Sequence, residues 1–262
     1  MPGCIPGKVE RLGKKMTIFE EFKNLMPSPS EVVEIAIANI FRPPRNTPDE
    51  IKRNFSDLVE ELQREAYRIY LAAESEAGCR AFKNVLSDRC PQDAGRAEVI
   101  ETISGMFQEF NQFYLSLIQS RKPRAGSAFE TILKRLFRAL NYPFEEQPVI
   151  NGKPDFVMPS KAHFDRNPMD CIIFTVKRSL RERWRQIVTE GTRGLGFYLA
   201  TIDETVSSSQ LEEIRHNRIY VVLPRAVKIR VPAYTEAPNV ITFEEFFEHH
   251  LDPALNRWRA VI

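Results

Sequence analysis

The sequence has 262 residues, a formal net charge of +2 at pH 7, and 43% hydrophobic residues. Charged residues make up 27%, which is ordinary for a globular protein and argues against a disordered or collagen-like chain. Because the total charge is close to neutral, it does not by itself indicate a nucleic-acid-binding protein. Local clusters of basic residues are the more informative feature.

The four cysteines, Cys4, Cys79, Cys90 and Cys171, have no CxxC spacing and no histidine arranged beside them as in a zinc site. So few cysteines in a chain of this length predict a reducing compartment, and we expect a cytoplasmic protein. No apolar run reaches the length of a membrane span. Residues 1–16 are basic and lack the apolar core of a signal peptide, so we expect a flexible tail.

The first half of the sequence shows the apolar spacing that is typical of helices. We expect these helices to form an N-terminal subdomain of residues 17–122 that packs against the remainder of the chain. A further helix is expected to begin the second half. The predicted helices cover residues 17–26, 30–41, 48–75, 95–120 and 124–141.

After residue 145, short runs rich in β-branched and aromatic residues alternate with helical stretches. This alternation predicts an α/β core over residues 123–262, with a central mixed β-sheet flanked by helices. The run CIIFTV is apolar almost throughout, as expected of a central strand buried on both faces. The predicted strands are PVI, DFVM, CIIFTVK, GFYLATI and IYVVLPR, and the predicted helices cover 181–192, 208–216 and a C-terminal stretch capped by Thr242.

Three residues in the segment 147–190 form a candidate catalytic set. Asp155 begins a predicted strand, Lys177 ends the apolar strand CIIFTV, and Glu190 lies in a predicted helix. Carboxylate oxygens are the ligands that Mg²⁺ prefers, and a lysine can offset negative charge on a phosphate. The set could therefore serve Mg²⁺-dependent phosphodiester hydrolysis, with Asp155 and Glu190 as metal ligands, but the spacings alone do not favour this role over a structural one. Taken singly, each residue also fits a structural role at a turn, a strand end or a surface.

These residues resemble the active-site motif of the PD-(D/E)xK nuclease superfamily. In that motif a second acid lies two residues before the lysine, whereas this sequence has Thr175 there. The branch of type II restriction endonucleases that includes SsoII, EcoRII, NgoMIV and PspGI carries this acid on the following helix, and Glu190 matches that pattern. The resemblance implies a restriction-endonuclease-like core and makes Glu130 a further candidate catalytic acid. Glu130 could instead be an exposed acid paired with Lys134.

The string KRSLRERWRQ is similar to the DNA-recognition segment of the same branch. The resemblance implies that Arg181, Glu182 and Arg183 read CC and GG half-sites. Arginine can donate two hydrogen bonds to guanine, and glutamate can accept one from cytosine N4. Weaker candidates for contacts with the DNA backbone are Arg124, Arg178 and Arg185, each of which could instead face solvent. Residues 121–138 carry six basic residues that could also lie along a phosphate backbone.

The resemblance implies a homodimeric, Mg²⁺-dependent type II restriction endonuclease that cuts double-stranded DNA at a CCWGG or CCNGG palindrome. It also implies extrusion of the central base pair, for which Arg80, Phe82 and Phe113 are candidate platforms. A cognate DNA methyltransferase is the expected protective partner in the cell. Three alternatives stay open: a mismatch or junction nuclease of the same superfamily, a sequence-specific DNA-binding protein without cleavage activity, and a structural helical scaffold with no DNA affinity. The four histidines show no HxxxH spacing and no GxxxxGK[ST] motif is present, which disfavours a zinc hydrolase and an NTP-driven enzyme.

Overall fold

The structure is a computed structural model, and it describes residues 16–150, 153–180 and 196–259. Its contacts divide the chain into two compact units: a helical unit of Met1–Met26 and Ala72–Ser120, and a sheet unit of Pro27–Leu71 and Arg121–Ile262. The contacts group residues 27–71 with the sheet unit. They do not test whether residues 17–122 fold as a separate subdomain, so the limits expected from the sequence stay a prediction.

The helical unit is built around aromatic side chains. Phe113 packs edge-on against Phe22 and Phe82, with ring centroids 5.5 Å and 5.4 Å apart. Such edge-to-face contacts stabilise a core beyond simple burial of area. The unit contains α1 (Ile18–Leu25), the end of α4 (Phe55–Arg89), α5 (Arg96–Gly105) and the start of α6 (Phe107–Ala139).

The sheet unit contains one six-stranded mixed sheet, whose strands lie side by side in chain order. The first two pairings are antiparallel and the remaining three are parallel. The strands are β1 (Glu145–Glu146), β2 (Phe156–Met158), β3 (Ile172–Val176), β4 (Gly196–Ala200), β5 (Ile219–Leu223) and β6 (Val240–Thr242).

Helices connect and cover these strands. The described helices that lie wholly in the sheet unit are α2 (Pro29–Ile40), α3 (Pro48–Arg53), α7 (Lys161–Arg166), α8 (Ser208–His216), α9 (Arg225–Arg230), α10 (Pro232–Glu236), α11 (Phe243–Phe246) and α12 (Asp252–Arg259). A 3₁₀ turn (Pro168–Asp170) follows α7, and a π-helical turn (Phe247–Leu251) joins α11 to α12.

Both faces of the sheet are covered. On one face, Phe174 of β3 contacts Phe137 of α6 and Phe246 of α11, with ring centroids 5.3 Å and 5.2 Å apart. On the other face, β-strand residues such as Ile173 and Leu199 belong to one buried cluster with Leu211 of α8. All five residues of β3 are buried, which confirms the expectation of a central strand covered on both faces.

The expected mixed sheet flanked by helices is confirmed, but several helix limits were wrong. The predicted break near residue 121 is absent, because α6 runs through Pro123 as one helix. An internal proline removes one backbone hydrogen bond, and the fully buried residues that follow it, including Phe129 and Leu133, favour continuation of the helix. The helix predicted over 48–75 is instead divided at Asn54 and extends to Arg89.

The strand predictions also need corrections. The run PVI is not a strand, since β1 ends at Glu146 and Ile150 makes only an isolated bridge. The short β6 was missed, although Thr242 at its end is the predicted cap of the next helix. The helix predicted over 181–192 lies outside the described residues. None of the helices that the structure describes has the length and apolar character needed to cross a membrane.

The cap of α11 should make stability depend on pH. The Glu245 carboxylate accepts hydrogen bonds from the Thr242 N–H (2.6 Å) and the Lys228 Nζ (3.0 Å). Burial alone would raise the pKa of Glu245, but these bonds outweigh it and hold the pKa below its usual value. The ionised carboxylate therefore contributes stability above the pKa of the unfolded chain, and this contribution is lost as the pH falls through the folded pKa.

We expect Glu245→Gln to lower the free energy of unfolding at pH 7 by on the order of 0.5–1 kcal/mol, as for other helix caps that are partly open to solvent. The difference from wild type should shrink as the pH is lowered toward 3. Urea unfolding at several pH values measures this, with Glu248→Gln, an exposed acid one turn away, as the matched control. A difference that stays constant across this range would contradict the prediction.

Candidate active site

The antiparallel pairing of β2 with β3 brings Asp155 and Lys177 together. In this register Phe156 lies opposite Phe174, so the residue before β2 is next to the residues that end β3. Asp155 is 7% exposed, and its Oδ2 accepts hydrogen bonds from the Val176 N–H (2.6 Å) and the Lys177 Nζ (3.1 Å). A main-chain donor and a lysine thus hold one carboxylate at the edge of the sheet.

Glu130 of α6 lies close to this pair. Burial raises the pKa of Glu130, the charge of Asp155 raises it further, and Lys177 partly opposes the shift. The Gln147 side chain donates to the Glu130 Oε1 at 3.4 Å, and the Gln147 backbone N–H donates to the Asp155 carbonyl at 2.9 Å. The alternative hydrogen-bond partner for Glu130 is not observed, because Lys134 instead bonds Glu146.

Thr175 occupies the strand position where the usual superfamily motif has its second acid. Its side chain is fully buried, and its hydroxyl has no hydrogen-bond partner among the described residues. A threonine cannot supply a carboxylate here. The described part of the site therefore contains two acids, Asp155 and Glu130.

The donors present fit a hard divalent cation. Carboxylate oxygens suit Mg²⁺, and Lys177 adds one positive charge beside them. The described residues contain no group of three or more potential His, Cys, Asp or Glu ligands. Glu190, the predicted second metal ligand, lies outside the described residues, as do the predicted DNA-reading residues Arg181, Glu182 and Arg183 and the weaker candidate Arg185.

A basic cleft of about 290 Å³ lies in the sheet unit. Two predicted backbone-contact residues, Arg124 and Arg178, line it, and Arg124 also donates to the Pro27 carbonyl at 2.9 Å. Tyr67, which is 59% exposed, and the nearly buried Tyr70 add aromatic surface. The full lining is Pro29, Val32, Gln63, Ala66, Tyr67, Tyr70, Arg121, Lys122, Arg124, Ala125, Ala128 and Arg178.

Other basic residues of the segment 121–138 are engaged in ion pairs. Lys134 and Arg138 both pair with Glu146, and Arg135 pairs with Glu34. These contacts stabilise the sheet unit and reduce the positive charge available to a phosphate backbone. Arg124 and Arg178, which line the cleft, stay the predicted residues for contacts with the DNA backbone.

The structure does not favour the aromatic platforms suggested by the sequence. Phe113 is 3% exposed and packs against Phe22 and Phe82 in the core of the helical unit. Phe82 also stacks on Phe110 at 5.5 Å, and Arg80 lies near Glu76. Buried and stacked rings of this kind are core residues.

Sequence reasoning missed Asp203, which lies three residues after β4. It is 8% exposed, and its Oδ2 accepts the Leu180 N–H at 2.8 Å. Its Oδ1 accepts both the N–H and the hydroxyl of Thr205, at 2.9 Å and 2.6 Å. The Asp-x-Thr spacing is typical of a side chain that bonds the backbone two residues on, which was the available signal.

Comparison with known proteins supports one family. Residues 93–247 match the family described as EcoRII C terminal. The type II restriction enzyme SsoII from Shigella sonnei is 25% identical over an alignment 264 positions long, which covers 94% of this chain and 84% of SsoII. The type II restriction enzyme EcoRII from Escherichia coli is 31% identical over 147 residues, which cover 53% of this chain and 36% of EcoRII.

Two solved structures are similar over most of the chain. Metal-depleted Ecl18kI in complex with uncleaved DNA matches with a TM-score of 0.75 and 25% identity, covering 93% of this chain and 83% of that one. PspGI in complex with substrate DNA matches with a TM-score of 0.64, covering 92% and 98%, and its 21% identity supports the fold alone. This chain therefore belongs to the EcoRII C-terminal family, within the branch of type II restriction endonucleases that includes SsoII and EcoRII.

Proposed function

We propose that the protein is a type II restriction endonuclease that hydrolyses double-stranded DNA in the presence of Mg²⁺. The observation that carries this proposal is the hydrogen-bonded pair of Asp155 and Lys177, with Glu130 nearby, in a chain of this family. An acid that can hold a cation, next to a lysine that can offset charge on a phosphate, suits phosphodiester hydrolysis.

In this mechanism a water molecule attacks the scissile phosphorus, and the phosphorus–oxygen bond to the leaving DNA strand breaks. Lys177 orients or activates the water and offsets the negative charge that builds up on the phosphate during attack. Asp155 keeps the lysine in place and, with Glu190, would provide hard oxygen ligands for Mg²⁺. Glu130 adds a further negative charge beside them. Bound there, Mg²⁺ would supply Lewis-acid chemistry to the reaction.

The proposed target is a CCWGG or CCNGG palindrome, read through Arg181, Glu182 and Arg183. A two-fold symmetric site calls for a two-fold symmetric reader, so we propose a homodimer with one active site for each strand. The similar Ecl18kI structure is a complex with DNA, which supports double-stranded DNA as the ligand. A cognate methyltransferase that protects the host DNA is part of the same proposal.

We also propose that the central base pair is extruded and that the basic cleft receives a base. An extruded base needs a flat apolar surface to replace the stacking it loses and a positive group near its phosphate. The exposed ring of Tyr67 meets the first requirement, and Arg121, Arg124 and Arg178 around the same cleft meet the second.

Asp155→Asn should lower the rate of plasmid cleavage by at least about a hundredfold, a typical loss when a group that stabilises developing charge is changed. Asparagine keeps an oxygen that can accept the Val176 N–H, so the fold should remain intact. The assay is digestion of unmethylated plasmid with Mg²⁺ or with EDTA, followed by mapping of the ends. Asp165→Asn changes the same charge at an exposed position and should cut like wild type.

Discrete bands that require Mg²⁺ and disappear in Asp155→Asn would support the endonuclease and define its site. Plasmid that stays intact with the wild-type protein, but is shifted in a gel, would instead indicate a DNA-binding protein without cleavage. Cutting of mismatched or branched substrates alone would indicate a repair-type nuclease.

Arg183→Ala should weaken discrimination at the guanine that it reads by about 1–3 kcal/mol, the usual value of a bidentate contact. Cleavage rates on the cognate duplex and on duplexes with one substituted base pair measure the discrimination. Arg215→Ala removes an equal charge from an exposed helix position and serves as the control. Equal discrimination in both variants would argue against Arg183 as a reader.

Tyr67→Ala should weaken capture of an extruded base by about 1–3 kcal/mol, the usual contribution of one stacked base. A duplex with 2-aminopurine at the central position reports extrusion, because its fluorescence rises when the base leaves the stack. Tyr114→Ala, at a tyrosine of similar exposure in the helical unit, is the matched control. Unchanged fluorescence in Tyr67→Ala would exclude this cleft as the receiving pocket.

A further inference from the structure

The four residues 177–180 connect two groups that must act together in the proposed function. The turn begins at Lys177, the candidate catalytic lysine, and ends at Leu180, which is covalently joined to Arg181, the first candidate DNA-reading residue. A small rearrangement of this turn would therefore change both the rate of cleavage and the discrimination between DNA sequences. The inference that follows rests on the proposed function.

Hydrogen bonds hold this turn against the end of β4 and the chain that follows it, and one of them joins the Ser179 side chain to Asp203. The Lys177 N–H donates to the Ala200 carbonyl at 2.9 Å, and the Thr201 hydroxyl donates to the Arg178 carbonyl at 3.4 Å. A further bond, from the Leu180 N–H to the Asp203 Oδ2 at 2.8 Å, is buried. It is the bond nearest to Arg181, and a side chain provides its acceptor.

Asp203 is itself held by further hydrogen bonds. Its carboxylate Oδ1 accepts both the N–H and the hydroxyl of Thr205, and the Asp203 backbone N–H donates to the Thr201 hydroxyl at 3.0 Å. The Tyr234 hydroxyl donates to the Asp203 carbonyl and accepts the Val206 N–H at 3.2 Å. Leu180 is fully buried beside this group, so side-chain packing and hydrogen bonding fix the same point of the turn.

Only an ionised carboxylate satisfies all of these donors. One oxygen accepts from Leu180 and the other accepts from Thr205, so both oxygens must be acceptors. Burial alone would raise the pKa of Asp203, but the hydrogen bonds from Thr205 and Leu180 outweigh it and keep the pKa below its usual value. An asparagine would present an NH₂ group to one of the two backbone N–H groups, which would then lack an acceptor.

We propose that Asp203 is a positioning residue of the nuclease, which fixes the turn 177–180 between the candidate catalytic lysine and the start, in the sequence, of the candidate DNA-reading segment. Asp203 need not touch DNA or the scissile phosphate for this role. A displacement of about 1 Å in such a connection can change a rate by as much as a hundredfold.

Asp203→Asn is the direct test, and Tyr234→Phe is its matched control. The control removes a hydroxyl that stabilises the same loop but leaves the bond between the Asp203 carboxylate and Leu180 intact. For each variant we would measure the melting temperature, kcat and KM on the cognate duplex, and the ratio of cleavage rates on cognate and singly substituted duplexes. The ratio of binding affinities for the same duplexes would be measured in EDTA.

We expect both variants to melt at a lower temperature, because each loses buried hydrogen bonds. Asp203→Asn should also lower kcat about tenfold, and it should lower the cleavage-rate ratio and the binding-affinity ratio about tenfold each. Tyr234→Phe should leave kcat and both ratios at the wild-type values. Thr205→Val, which removes one of the two Thr205 donors, should lose less in the same direction. If Asp203→Asn does not fold, the same measurements on Thr205→Val test the proposal instead.

Wild-type-like kcat and ratios in folded Asp203→Asn, or equal losses in Tyr234→Phe, would overturn the positioning role while the endonuclease assignment stands. A wild-type protein that binds its site but does not cut would defeat the proposed function alone, because the binding ratio in EDTA still tests Asp203. A wild-type protein without any preference among the duplexes would defeat both.

Discussion

The register between β2 and β3 is the constraint on which the candidate site depends. Because the two strands are antiparallel and Phe156 lies opposite Phe174, the beginning of one strand meets the end of the other. The Asp155 carboxylate then accepts the last main-chain N–H of β3. A shift of one residue would turn alternate side chains to the opposite face and separate Asp155 from Lys177.

The rest of the sheet unit maintains this register from both sides. Phe137 of α6 contacts Phe156 and Phe174, at 6.0 Å and 5.3 Å between ring centroids, and so holds the two strands that carry Asp155 and Lys177. Glu130 lies two turns before Phe137 on the same helix, and this places its carboxyl group close to Asp155 and Lys177. Core packing and the placement of charge therefore depend on the same helix.

The parts of the site that could be predicted from the sequence are those with a local pattern. Asp155 and Lys177 flank strongly apolar runs, so their places at strand ends followed from composition. The break expected near Pro123 was wrong, because the buried face of α6 outweighs the loss of one hydrogen bond. Asp203 was missed because its partner Leu180 lies 23 residues away in the sequence, and only the folded chain brings the two together.

The position of Glu130 lowers the free energy of unfolding of the protein when no cation is bound. Burial and the neighbouring Asp155 raise the pKa of its carboxyl, which means that its ionised form is less favourable in the folded chain than in the unfolded one. Ligand binding to the folded state alone shifts the folding equilibrium toward that state. A cation that offsets the repulsion between the two acids would therefore stabilise the protein even in the absence of DNA. Groups suited to hold a metal thus make the metal-free chain less stable.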